Sequence, residues 1–215
     1  MRLTDYGHEI RIPESLLSAG IAAAARPFAT DDFAGKPLWY LVEFLTENHR
    51  DFRSKDLPEL QRLFELLRLE FAQEPRAIDG FVDEFTDFRR ELSSHLEEEE
   101  EFLFPKILRT EASLRHPELY PEVFKGSLTM FPRAHLRIPE ENFRGMLAEL
   151  DRKFHGLITD LRQLPIVKRI LETMEAFESK LKTHTYLEAD ILFPRAAEME
   201  SELLRRHGRT RPGAA

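Results

Sequence analysis

Two segments of the chain repeat one pattern, and this repeat constrains the fold more than any other feature. His95 and Glu99 are four positions apart and are followed by Leu-Phe-Pro; His184 and Glu188 repeat that order 89 positions later. Residues four apart lie on one face of a helix, so each copy directs an imidazole and a carboxylate the same way. Two such pairs brought together would supply nitrogen and oxygen ligands to a metal ion. The repeat therefore predicts two helices that meet at a metal site.

The spacing of apolar residues places these pairs on the buried faces of their helices. In three predicted helices, steps of four and three connect Leu38, Val42, Leu45, His49 and Phe52; Phe81, Phe85, Phe88, Leu92, His95, Glu99 and Phe102; and Ile170, Met174, Phe177, Leu181, His184, Glu188 and Ile191. Polar residues thus stand where the period predicts apolar ones. A buried carboxylate is costly unless it is paired or binds a metal, so these groups require a common partner.

Prolines and the apolar period divide the chain into an N-terminal extension (1–36), four helices and a tail. We expect helix A from Pro37 to about 73 with a kink at Pro58, and helix B from Pro75 to about 108. A long connection over 109–137 precedes helix C (139 to about 165) and helix D (about 166–206). The predicted fold is all-α, an up-down four-helix bundle over 37–206 with a disordered tail at 207–215. Chain lengths from each turn place His49, His95, His184 and residues 141–142 at one height.

A plainer interpretation exists for each part of the repeat. A single His-x3-Glu pair is usually an exposed ion pair on a helix surface. The five consecutive glutamates at 97–101 are by default a solvated acidic face, with four of them facing water, and Leu-Phe-Pro alone merely marks a helix end. The repetition, the position on the buried stripe and a third histidine at matching height favour a metal site over these alternatives.

Composition excludes several classes of protein. The net charge is −8, which argues against a nucleic-acid surface, and the chain has no cysteine, which excludes disulfides, a thiolate nucleophile and Cys-ligated zinc or iron–sulfur sites. No apolar run approaches the length of a membrane span, and the first residues lack the pattern of a signal peptide. We therefore expect a soluble, cytoplasmic protein.

The residues around His49, His95-x3-Glu99 and His184-x3-Glu188 resemble the hemerythrin-like (HHE cation-binding) domain over about 37–200. The stretch Asn-His-Arg-Asp-Phe-Arg at 48–53, followed by Leu57-Pro58, is similar to the repair-of-iron-centres branch of that family. The resemblance implies a pair of irons bridged by Glu99 and Glu188, with His49, His95 and His184 as terminal ligands.

The chain departs from the family at two places. Where the family has a fourth histidine, on helix C, alternative alignments place Glu141 or Asn142; we favour Glu141 as an oxygen ligand, and leave Asn142, His135 or no residue as the alternatives. The segment 1–36 does not resemble the cysteine-bearing segment that often precedes this domain in the repair branch.

The resemblance and the ligand set together imply a non-haem di-iron protein of oxidative or nitrosative stress. It would bind or reduce dioxygen, peroxide or nitric oxide, or donate iron to an iron–sulfur client protein; manganese or zinc could take the place of iron. The alternatives are a non-catalytic metal-dependent sensor and a degenerate, metal-free bundle that acts in protein interaction. The sequence leaves open whether the chain is an enzyme and whether it forms a homodimer.

Overall fold

All the regular structure that the computed structural model describes is helical. The described residues are 33, 35–71, 75–116, 140–158 and 164–209. They form α1 (Leu38–Asp51), π1 (Phe52–Asp56), α2 (Leu57–Glu70), α3 (Pro75–Glu98), π2 (Glu99–Leu103), α4 (Phe104–Arg115), α5 (Glu140–Leu157), α6 (Pro165–Tyr186), π3 (Leu187–Leu192) and α7 (Phe193–Arg209). The predicted extension, apart from residues 33, 35 and 36, and most of the predicted long connection and tail lie outside these residues.

The predicted helices A, B and D each contain a short π-helical segment that ends two residues before a proline. Pro58, Pro105 and Pro194 follow π1, π2 and π3 in this way. A proline removes a hydrogen bond and clashes with the carbonyl four residues earlier, and the wider π turn accommodates that defect. The plainer interpretation of Leu-Phe-Pro as a mere helix end therefore does not hold, because the backbone remains right-handed and helical through Phe104 and Phe193. Pro58 likewise follows a π segment within a continuous helix.

Two further expectations about helix B need correction. The helix was expected to end near Leu108, but it continues through α4 to Arg115. Phe102 was expected on the buried stripe, yet it is 54% exposed, and Leu103 is 1% exposed instead. The π turn adds a residue to the helix, so the buried face continues from His95 and Glu99 to Leu103 rather than to Phe102. The other residues of the three predicted stripes are buried, as predicted.

The apolar interior consists of two clusters of buried side chains. The larger one is rich in phenylalanine and includes residues of π1, α2, α3, α5 and α6. The smaller one draws on α1, π2, α4, π3 and α7. Helix α5 packs on α3 and α6 around the larger cluster. The polar stripe residues lie at the junction of the two clusters, since Phe52 of the larger cluster and Phe104 of the smaller one each contact a histidine there.

The described helices carry polar residues at intervals along their length. Among the parts of the chain that the structure covers, no helix is long and apolar enough to cross a membrane.

Candidate metal centre

Three helical stretches bring four predicted ligands together. His49 comes from the end of α1, Glu99 from the start of π2, His184 from the end of α6 and Glu188 from π3. Each offers one ligand atom, and these four atoms lie within 4.8 Å of one another. All four residues are at most 2% exposed. The spacing of four and three along each stripe is what aims them at one point.

His95 extends the cluster on the side of α3. Its Nε2 atom lies 3.3 Å from Oε1 of Glu99, while Oε2 of the same carboxylate lies 3.5 Å from Nε2 of His49. On the other side, Nε2 of His184 lies 3.2 Å from Oε1 of Glu188 and 3.3 Å from Nε2 of His49. The five side chains therefore form one connected set of imidazoles and carboxylates.

The distances between these side chains fit ligand atoms around one ion better than they fit a network of hydrogen bonds. All four oxygens of Glu99 and Glu188 are buried and have no hydrogen-bond partner among the residues that the structure describes. Ligand bonds of about 2.0–2.2 Å place the ligand atoms of one ion roughly 3–4 Å apart, and the imidazole–carboxylate distances here are 3.2–3.7 Å. Buried carboxylates without donors are costly, so the residues present fit a metal cation.

Burial and mutual charge shift the proton affinities of this set. Burial raises the pKa of Glu188 to about 8, and the negative charge of Glu99 adds to the rise. Burial also lowers the pKa of His184 to about 4. The pKa of Glu99 is lowered, because its contact with His95 and the positive charge of the neighbouring imidazoles outweigh the effect of burial. Without a metal, one carboxylate of the pair is thus ionised and the other holds a proton.

The start of α5, the observed counterpart of helix C, lies beside His95. The side chain of Glu141 and all of His135 lie outside the described residues, and Asn142 is exposed. The described side chain at this level is Phe143, which is 1% exposed and whose ring centroid lies 4.8 Å from that of His95. A small pocket opens here, and its walls are Leu92, His95, Leu96, Phe143, Leu181, His184, Thr185 and Glu188.

Sequence reasoning missed a second layer of contacts around His49. Its Nδ1 atom lies 3.0 Å from Oε1 of Glu100, and the same oxygen accepts a hydrogen bond of 2.6 Å from Arg53. These contacts lower the pKa of Glu100 although its partial burial acts to raise it. The ring of Phe104 stacks on His49 at 5.3 Å. Arg53 stands four residues after His49, a spacing that places both side chains on one helix face and could have indicated that Arg53 lies near His49. Glu100 could not be singled out by its sequence, because it is one of five consecutive glutamates.

Comparison with known proteins gives relatives that are named as iron-sulfur cluster repair proteins. No family model matches the chain. Over 180 residues the chain is 26% identical to the iron-sulfur cluster repair protein YtfE of Yersinia pseudotuberculosis (serotype IB, strain PB1/+), an alignment that covers 83% of this chain and 75% of that protein. Proteins of the same name from Yersinia pestis are 25% identical over the same shares. These relatives support the resemblance to the repair-of-iron-centres branch.

Proposed function

We propose that the chain is a hemerythrin-like (HHE cation-binding) protein of the repair-of-iron-centres branch, folded as an up-down four-helix bundle over 37–206. It binds two irons through His49, His95, His184, Glu99 and Glu188, and Glu141 stays a predicted sixth ligand. The relatives' name extends the proposal to damaged iron–sulfur proteins as clients. A cytoplasmic location stays a prediction from the sequence.

One observation carries the proposal: both carboxylates are fully buried, and within the described ranges none of their four oxygens has a hydrogen-bond donor. Taking such groups out of water costs several kcal/mol when they remain unpaired. In a metal-free interaction bundle nothing would offset this free-energy cost. A cation coordinated by the same oxygens removes it, so the arrangement favours a metal-binding protein over that alternative.

The orientation of Glu99 supports its role as a bridge. Oε1 faces His95 and Oε2 faces His49, at 3.3 and 3.5 Å. A carboxylate whose two oxygens point to different imidazoles can serve two ions at once. Glu188 differs, because its Oε1 is the atom near both His49 and His184. Bridging by Glu188 would use its second oxygen, which is also buried and has no hydrogen-bond partner among the described residues.

Imidazole and carboxylate ligands suit iron, which when bound supplies the capacity to bind and reduce dioxygen, peroxide or nitric oxide. Apolar side chains of the protein surround the proposed ligands. Leu92, Leu96, Phe143 and Leu181 line an apolar approach to His95 and His184. Such walls limit water near the ligands, while a small uncharged molecule could still enter. Phe143, whose ring lies beside His95, carries no ligand atom, so this side chain does not compete for the ion on that side.

The test is elemental analysis of the protein after anaerobic reconstitution with ferrous iron and desalting. Two irons per chain support the proposal, and Glu99→Gln and Glu188→Gln should each lower that value. Glu101→Gln, an exposed neighbour in π2, is the matched control and should keep both irons. A folded wild-type protein that retains no iron would overturn the proposal. Turnover of peroxide or nitric oxide by the loaded protein then separates a catalyst from a sensor.

A further inference from the structure

The three histidines of the centre differ in what their outer ring nitrogens contact. Nδ1 of His49 lies 3.0 Å from a carboxylate oxygen of Glu100. The Nδ1 atoms of His95 and His184 are buried, and no described residue forms a hydrogen bond with either of them. A histidine ligand usually has its second nitrogen bound, which sets its tautomer and orientation. Here that support is present on one side of the centre, at His49.

Glu100 is itself held in place from a neighbouring helix. Arg53 of π1 donates a hydrogen bond of 2.6 Å to the oxygen that His49 contacts, and its other terminal nitrogen lies 3.5 Å from Glu97. The side chains of Glu100 and Arg53 are 23% and 27% exposed, so solvent screens this ion pair only in part. A carboxylate paired with a guanidinium is ionised and only accepts hydrogen bonds. Nδ1 of His49 is then the donor.

Both residues that support His49 lie in π-helical segments. Glu99 and Glu100 are consecutive at the start of π2, yet the first is fully buried in the cluster and the second reaches the outer edge of His49. Arg53 approaches from π1, the corresponding segment of the first helix. Two π segments thus meet at one ligand, and such segments occur frequently at functional sites.

We propose that Glu100, held by Arg53, is a positioning residue that fixes the ring orientation and the Nδ1–H tautomer of His49, with Nε2 facing the cluster. This inference rests on the proposed metal centre and adds to it. His49 becomes the ligand that is pre-arranged before the metal arrives, whereas His95 and His184 are oriented by packing and by the metal itself. Binding affinity then depends on residues that never touch the ion.

The experiment uses Glu100→Ala and Glu100→Gln, with Glu101→Ala as the matched control. In the metal-free protein, long-range 1H–15N spectra of the imidazoles report the tautomer of each histidine. We expect the wild type and Glu101→Ala to show His49 with its proton on Nδ1, and Glu100→Ala to show a mixture of tautomers. Glu100→Gln should remain close to the wild type, because the amide oxygen still accepts from Nδ1–H.

The second measurement is zinc affinity, by competition with a chelator. Loss of an outer partner weakens binding by about 10–100-fold, and we expect this for Glu100→Ala, with Glu100→Gln closer to the wild type. If Glu100→Ala keeps both the His49 tautomer and the wild-type affinity, the positioning role is wrong although the metal centre stands. If the wild type binds no metal, the proposed function fails, and the tautomer spectra alone then decide the role of Glu100. If Glu100→Ala does not fold, two other variants decide. The inference is wrong if the His49 tautomer changes in Glu100→Gln, and it is also wrong if the His49 tautomer stays unchanged in Arg53→Met.

Discussion

In the metal-free protein, the ionisable carboxyl group of Glu188 should lower the free energy of unfolding relative to a variant with an uncharged side chain at this position. Burial raises the pKa of this carboxyl from 4.5 to about 8, and neither of its oxygens has a hydrogen-bond donor in the part of the chain that the structure describes. The folded protein therefore holds a proton that the unfolded chain releases above its ordinary pKa. The contribution of Glu188 to the free energy of unfolding is highest below pH 4.5, and it falls as the pH rises to about 8.

The substitution Glu188→Gln removes this proton uptake and preserves size and polarity. At 1.36 kcal/mol for each pKa unit, the 2.5 units between 4.5 and pH 7 predict that the metal-free variant is more stable by about 3 kcal/mol at pH 7. The gain should rise to about 4 kcal/mol by pH 8 and shrink toward zero near pH 4.5. For a chain of 215 residues, about 3 kcal/mol corresponds to a Tm increase of roughly 6–12 °C.

Thermal unfolding followed by circular dichroism, with and without metal, tests this reasoning. In chelator the variant should melt above the wild type, and the difference should grow between pH 6 and pH 8. With metal at about 1,000 times Kd the order should reverse at pH 7, because binding to the folded state then stabilises the wild type by about 4.1 kcal/mol, more than the difference of about 3 kcal/mol between the metal-free proteins. Glu101→Gln, which changes an exposed glutamate, should alter neither curve. A metal-free Glu188→Gln protein that melts at or below the wild-type temperature at pH 8 would refute the argument.

Three other outcomes are expected. Binding of zinc at pH 7 should release about one proton from Glu188. Titration calorimetry in buffers of different ionisation enthalpy measures this release, and equal binding heats in all buffers would contradict the prediction. Glu111→Ala should cost about 1–2 kcal/mol in urea unfolding, because Glu111 accepts the backbone N–H groups of Leu38 and Trp39 at 2.9 and 3.0 Å; metal content should stay unchanged. Phe64→Ala should cost about 3–5 kcal/mol, since Phe64 is fully buried among three other phenylalanines; a smaller loss would mean that the core closes the cavity.

The predicted buried stripes illustrate what periodicity can determine. The stripe of helix D is buried from Ile170 to Ile191, with His184 and Glu188 among its members. That prediction needs only the 3.6-residue period and the cost of burying a charge. The same argument placed His49 in the core, although no second motif residue accompanies it in helix A. The assignment of these residues as ligands stays a prediction.

Other features depend on backbone geometry that no local pattern specified. The π2 segment exposes Phe102 and turns Leu103 inward, so the predicted stripe is wrong at its last residue. The extension of helix B to Arg115 follows from packing of α4 against α1 and α7. A π turn and a packing contact between distant helices both leave no periodic signal in the sequence.

Taken alone, the sequence determined which helix faces are buried and which polar groups those faces carry, because burial has a fixed period along a helix. It also indicated that three histidines and two glutamates would meet at one height, since chain length sets position along an antiparallel pair. Only the tertiary structure decided which atoms of those groups face each other, that Glu100 and Arg53 support His49, and that Phe143 lies against His95. Those contacts join residues far apart in the chain, and their geometry depends on the π turns and on how the helices rotate as they pack.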